Sequence, residues 1–330
     1  MTDPVPDAQL LYADLQTAIE LEWATLPPYL YACWSLVDPV GPEARAIRRV
    51  IGEEMLHLGM ACNLLNALGG EPRFGPDVAP RYPAPAPGNL DDGTLVLRLL
   101  PWSIPALDLF IRIEARAPTR EEVPRRLHSH LRGGPASISQ FYGAIRDALG
   151  NVPEDGIKPR RQLVMGKPQS GGKLIAVTAL THAERRAQAE AMIDEIVVQG
   201  DATVLEGGPP PTEPSHLERF SELRRVVASH PPDTACLVTD PSLQLHRYSS
   251  DQLRLNHAFN SAYSELVDGL SAAFRMEAPN LYASAGPAML AMERRAAELR
   301  RSGPVASGPT DTTEYPGPTF CYVPAYEREA

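Results

Sequence analysis

No uninterrupted apolar run in the chain approaches the roughly 20 residues that a membrane-spanning helix needs, which argues against a helical span. The opening Met1-Thr-Asp-Pro-Val-Pro-Asp7 lacks the basic-then-apolar order of a secretory leader. Cytoplasmic location is the resulting expectation. Cysteine is scarce. Cys33, Cys62, Cys236 and Cys321 form no Cys-x-x-Cys pair, which sets aside a zinc-thiolate site. Cys33 and Cys62 sit in apolar helical contexts and read as buried free thiols. Basic residues are outnumbered, 31 Lys and Arg against 41 Asp and Glu, for a net charge of −10. That balance disfavours nucleic acid and anionic membranes as partners. Also missing are alternating β-branched runs long enough for a sheet, and any repeat at solenoid periods. An all-α fold is what remains.

Proline is plentiful instead, with 34 residues, and it collects between apolar helical stretches. Residues 8–37 read as one long helix, with a kink expected at Pro27-Pro28 because two backbone donors are lost there. Pro42 to Leu68 reads as a second helix ended by Gly69-Gly70, and the two form a helix hairpin. A loop carrying Pro72, Pro76, Pro80, Pro83, Pro85 and Pro87 follows. Leu95 to Arg116 reads as helical with breaks at Pro101 and Pro105. Residues 119–134 read as a charged surface loop containing His128 and His130. Further helices are expected over Ser137–Leu149, over His182–Gln199 with Gly200 as the stop, and from a Ser215/Glu218 capping box. The last two run from a cap at Ser250 to Arg275 and over Pro287–Ser302. Leu174–Leu180 reads as a short strand or a helix lead-in, and 303–330 as a Pro- and Gly-rich tail. Residues 1–230 are taken as a metal-binding bundle and 231–330 as a helical extension packed on it.

The chemistry lies in acidic residues set into apolar stripes. Glu22 falls between Ile19 and Leu26, and Glu54 and His57 share one face of the second helix. Carboxylates inside a core are costly unless something pairs with them. Four-helix carboxylate bundles solve this with two iron or manganese ions, held by a Glu from each of two helices and Glu-x-x-His from each of the other two. Glu22 with Glu54 and His57 is half of such a site. Glu114 is the offering of the third segment, with pairing to Arg112 or Arg116 as its alternative. The fourth is open: the helix at 182–199 has Glu195 but no Glu-x-x-His, and Asp201 lies just beyond. Glu213 and His216 have the spacing, but Pro214 and Ser215 place Glu213 outside the helix. Glu20 and Glu53 fall off the stripes and read as solvated. His182 and His257 read as structural, and Tyr29, Tyr31 and Trp34 as core packing or the wall of a pocket.

Several of these segments resemble a known family. Ala18-Ile-Glu-Leu-Glu-Trp-Ala-Thr-Leu-Pro-Pro-Tyr-Leu-Tyr31 is similar to the opening helix of the ferritin-like iminophenylpyruvate dimer synthases. Glu53-Glu-Met-Leu-His57 with Asn63-Leu-Leu-Asn-Ala-Leu-Gly-Gly70 is similar to their second. Shorter matches are Phe141-Tyr-Gly-Ala-Ile145, Val198-Gln-Gly-Asp201, Ser215-His-Leu-Glu-Arg-Phe220 and Gly317-Pro-Thr-Phe320. The family includes the N-terminal part of the imine-dimer synthase of violacein biosynthesis. The resemblance implies a ferritin-like four-helix bundle with added helices and long Pro-rich loops. It also implies iron, and oxidative chemistry on amino-acid-derived substrates in secondary metabolism. It brings His216 into the site, and it places Asp201 where the family usually carries Glu.

The expected ligands are therefore Glu22, Glu54, His57, Glu114 and His216, with Glu195 or Asp201 completing the set around two irons, or manganese in their place. The expected activity is that of an oxidase or oxygenase using dioxygen and a small-molecule substrate, with a biosynthetic partner enzyme as a further expectation. Two rivals are a metal-storage protein and a metal-free scaffold for another enzyme. The long proline-rich loops and extra helices suit a substrate pocket better than a storage cage.

Overall fold

The computed structural model of the chain describes residues 6–115, 137–153, 155–163, 176–205, 207–208, 210–276, 284–308 and 312–328. Among these the fold is helical: α1 (Pro6–Ser35), α2 (Pro42–Leu68), α3 (Ile104–Ile113), α4 (Ile138–Gly150), α5 (His182–Asp201), α6 (His216–Ser229), α7 (Ser250–Phe274) and α8 (Ala285–Arg301). Two short strands, β1 (Ala84–Pro85) and β2 (Val96–Leu97), pair antiparallel in the α2–α3 connection. No described helix is long and apolar enough to cross a membrane. The expected loop at 119–134, with His128 and His130, lies outside the described residues.

α1 and α2 form the expected hairpin, and the local chemistry accounts for each end. Pro42 opens α2, where its missing N–H is no loss. Gly69 closes it in the left-handed region at φ 100°, with its N–H on Asn66 O and the Gly70 N–H on Leu65 O. This is a Schellman closure, and φ > 0 favours glycine there. α1 runs on through Pro27-Pro28 as one helix. The carbonyl that a residue-28 N–H would have bonded belongs to Ala24, and the Tyr82 hydroxyl donates to it at 2.7 Å instead. A side chain from the proline-rich connection thus replaces a lost helix bond.

The stretch 95–116 differs from expectation. Leu95–Leu100 is extended, because β2 pairs with β1 and Leu99 is tied down by Asp240. Asp240 Oδ1 accepts the Leu99 N–H at 3.0 Å, and Leu99 O accepts the Asp240 N–H at 2.9 Å. Helix begins only after Ser103, whose Oγ accepts the Ala106 N–H, with Pro105 in the first turn. α5 also passes Gly200, ending at Asp201 with Ala202 in the left-handed region at φ 62°. Asp201 Oδ1 accepts the Thr203 N–H at 2.8 Å, which fixes that reversal. Residues 176–180 form neither strand nor helix. The cap of α7 is Ser249 rather than Ser250: Ser249 Oγ and Gln252 Oε1 accept each other's backbone N–H, and the helix stops at Phe274.

The core positions the centre of the bundle. Tyr29 of α1, Phe110 of α3 and Phe220 of α6 meet with ring centroids 4.7–5.2 Å apart, all buried. Each such ring stabilises by roughly 1.5–3 kcal/mol through burial. The cluster brings the C-terminal end of α3 and the N-terminal end of α6 to the α1–α2 pair. On another side, α7 docks on α1 through Trp23, which stacks on Tyr263 and donates its indole N–H to the phenol at 3.0 Å. Residues 312–328 then strap across: Phe320 stacks on Trp34, and Thr319 is held by Asn256 and Asn260.

Candidate metal centre

Three glutamates and two histidines converge in the interior. Glu22 projects from α1, Glu54 and His57 from α2, Glu114 from the residue that follows α3, and His216 from the first turn of α6. All five are buried, with exposures of 5% or less. Glu54 sits between the histidines: its Oε1 is 3.8 Å from His57 Nδ1 and 2.7 Å from His216 Nδ1. Glu22 Oε2 lies 3.9 Å from His57 Nδ1, and Glu114 Oε1 lies 3.7 Å from His216 Nδ1. The imidazoles stack with centroids 5.5 Å apart. The arrangement has two halves, Glu22 with His57 and Glu114 with His216, which share Glu54.

The outward-facing atoms are also held. Tyr142 donates to Glu22 Oε1 at 2.5 Å and Tyr29 to Glu114 Oε1 at 2.7 Å. His57 Nε2 meets Gln199 Oε1 at 2.8 Å, and His216 Nε2 meets Glu53 Oε2 at 3.0 Å. Glu53 in turn accepts from Arg219 and, at 3.1 Å, from Arg49.

Crowding of like charges shows in the proton affinities. Burial, and then the Glu54 charge, push the Glu22 carboxyl well above its usual range. Burial and Glu54 likewise raise Glu114. Burial would also raise Glu54, but the two histidines outweigh it and hold Glu54 low. At His216 burial favours the neutral ring, yet the carboxylates of Glu114, Glu53 and Glu54 prevail and raise it well above an ordinary histidine. Burial lowers His57. Burial opposes ionisation of Glu53, but His216 and Arg219 override it and bring its pKa to about 2.

This donor set fits a divalent cation. The His216 Nδ1 is buried 2.7 Å from Glu54 Oε1 and 3.7 Å from Glu114 Oε1. A ring nitrogen among carboxylate oxygens is balanced by a positive charge, either its own proton or a metal ion in the proton's place, and mixed carboxylate and imidazole donors suit iron, manganese or zinc. Oxygens or nitrogens of Glu54, His57 and His216 lie within 4.8 Å of one another, as a shared ion requires.

The expected residues of α5 have bonded neighbours of their own. Glu195 Oε1 accepts from Gln199 Nε2 at 2.6 Å, so it reaches His57 through the amide. Asp201 accepts from Ser139 and from the Thr203 N–H, at the turn that ends α5. At Gly200 of α5 an added Cβ would lie 3.5 Å from Glu114 Oε2. Arg112, the proposed alternative partner of Glu114, binds Asp91 instead, and Arg116 lies outside the described residues. Glu20 is half-buried beside Gln16, whereas Glu53, expected to be solvated, is bonded to His216. Glu213 faces outward and pairs with Arg49 and Arg219. Cys33 and Cys62 are buried free thiols, His257 Nε2 bonds Glu327 O at 3.1 Å, and His182 is half-buried with Nε2 unpartnered.

Sequence reasoning overlooked Glu53, Gln199, Tyr142 and the role of Tyr29. Tyr29 was within reach, since it follows Glu22 by two helical turns on the same face. Gln199 follows Glu195 by one turn. Nothing local links Tyr142 to Glu22.

The fold and the family follow from the comparisons. A crystal structure of a ferritin-like protein from Caulobacter vibrioides aligns with TM-score 0.70 over 91% of this chain and 97% of that one, at 22% identity. At that identity the likeness concerns the fold. No curated protein matches the chain. The sequence model of the ferritin-like family matches residues 15–225, the span from α1 into α6 that carries Glu22, Glu54, His57, Glu114 and His216. The chain belongs to the ferritin-like family.

Proposed function

We propose that this protein is a metal-dependent oxidase or oxygenase, with two irons (manganese as the substitute) held by Glu22, Glu54, His57, Glu114 and His216. The observation that carries the reading is the burial of three carboxylates against two imidazoles, with His216 Nδ1 facing Glu54 and Glu114. When bound and reduced, such a metal pair would supply electrons to dioxygen. The chain's own residues do the rest. Glu54 spans both halves, and Tyr142 fixes Glu22 so that Oε2 points inward. Tyr29 fixes Glu114. Burial of all five groups keeps bulk water away.

The substrate class proposed is an amino acid or an amine derived from one, in secondary metabolism. That choice rests on the likeness of α1 and α2 to the iminophenylpyruvate dimer synthases. The reaction proposed is a two-electron oxidation, such as amine to imine, with dioxygen as the acceptor. The test is anaerobic loading with ferrous iron, metal analysis, and then an oxygen electrode with aromatic amino acids. Two irons per chain and substrate-dependent oxygen uptake are expected. Many irons per chain without substrate dependence would mark storage, and a chain that takes up no iron would mark a scaffold.

A further inference from the structure

The outer partners of the two histidines differ in charge. The Gln199 NH2 donates to Glu195 Oε1 at 2.6 Å. Gln199 Oε1 therefore faces His57 Nε2 at 2.8 Å, which must carry the hydrogen. The bare His57 Nδ1 is left toward Glu22 and Glu54. At the other ring, Glu53 accepts from His216 Nε2 at 3.0 Å, and Nδ1 again faces inward, toward Glu54. Glu53 is held as an anion by Arg219 and Arg49. One imidazole thus leans on a full carboxylate and the other on a neutral amide. A carboxylate on the far nitrogen increases the basicity of a ligating histidine more than an amide oxygen does.

We propose that Glu53 and Gln199 are positioning residues that make the two halves unequal, so that the half of Glu54, Glu114 and His216 takes the first divalent ion and the half of Glu22 and His57 the second. This rests on the metal-centre reading above. Shorter approaches on the His216 side, 2.7 and 3.7 Å against 3.8 and 3.9 Å, point the same way.

The experiment is an anaerobic titration of the full chain, stripped of metal, with cobalt(II), followed by calorimetry and by the visible cobalt absorption. Wild type should bind two ions in resolved steps. Glu53→Gln should weaken the first step by about 10–100-fold and shift its absorption band, leaving the second in place. Glu53→Asp should restore part of the loss, since it returns the charge. Gln199→Leu should weaken the second step alone. A merely structural role for Glu53 would lower thermal stability without moving the band of the first ion. Two equal steps in wild type, or a Glu53→Gln protein that titrates like wild type, would overturn the inference while leaving the metal centre standing. No cobalt uptake by wild type would overturn both.

Discussion

Tyr142 donates its phenol hydrogen to Glu22 across 120 positions of sequence, at 2.5 Å, with both groups fully buried. The bond joins α4 to α1 at the centre of the site and leaves the other Glu22 oxygen facing His57. In Tyr142→Phe the Glu22 carboxyl keeps its burial and loses its only described phenol donor. An unsatisfied buried carboxyl costs about 1–3 kcal/mol, and urea unfolding of the metal-free variant should show a loss of that size. Tyr29→Phe should behave likewise at Glu114, where the bond is 2.7 Å. Stability unchanged in both variants would mean that the phenols do not carry these bonds in solution.

Glu54 is the shared carboxylate, so its removal should be the most damaging single change at the centre. Glu54→Ala should abolish metal loading, whereas His57→Ala and Glu22→Gln should each leave one ion per chain. Metal counts on purified variants decide this. Retention of two ions and of activity by both Ala variants would show the ligand assignment to be wrong.

Metal removal should also lower stability. An ion that binds only the folded chain stabilises it by about 2.7 kcal/mol at a hundredfold excess over Kd. Chelation should therefore lower Tm by several degrees in wild type and by much less in Glu54→Ala. Equal shifts in the two proteins would place the metal elsewhere.

The helix hairpin, its glycine closure and the shared face of Glu54 and His57 were legible because they are local. Spacing along one helix fixes which side chains share a face, and capping residues sit next to what they cap. The stretch 95–103 was misread as helical because its partner, Asp240, lies 141 positions from Leu99. Glu53 was misread for a related reason. It falls off the apolar stripe of α2, and only the approach of α6 gives it His216 and Arg219 as partners. Glu195 was read as a candidate ligand, not as the residue that orients Gln199, because that role depends on which way an amide faces.

The break in α1 offers a test away from the metal. Tyr82→Phe removes the hydroxyl that serves the Ala24 carbonyl beside Pro27-Pro28. The freed carbonyl is in a buried helix segment, and the cost should be about 1–3 kcal/mol. Amide hydrogen exchange should quicken in the turn around Trp23 to Tyr31, and metal content should hold at wild-type stoichiometry. Exchange unchanged in that turn would mean that water or a shifted backbone satisfies Ala24 without Tyr82.

Glu195 and Asp201 separate by what each holds. Glu195→Gln lets the Gln199 amide turn over, which places N–H groups against His57 Nε2 and favours the ring form with hydrogen on Nδ1. The second ion should then bind as weakly as in Gln199→Leu. Asp201→Asn disturbs the end of α5 and its tie to α4, where the Thr203 N–H and Ser139 are bound. Its cost should be about 0.5–2 kcal/mol of stability, as for other caps, with both ions retained. If Asp201→Asn loses an ion while Glu195→Gln keeps two, the acidic ligand of α5 is Asp201, and the turn at Ala202 must open when metal binds.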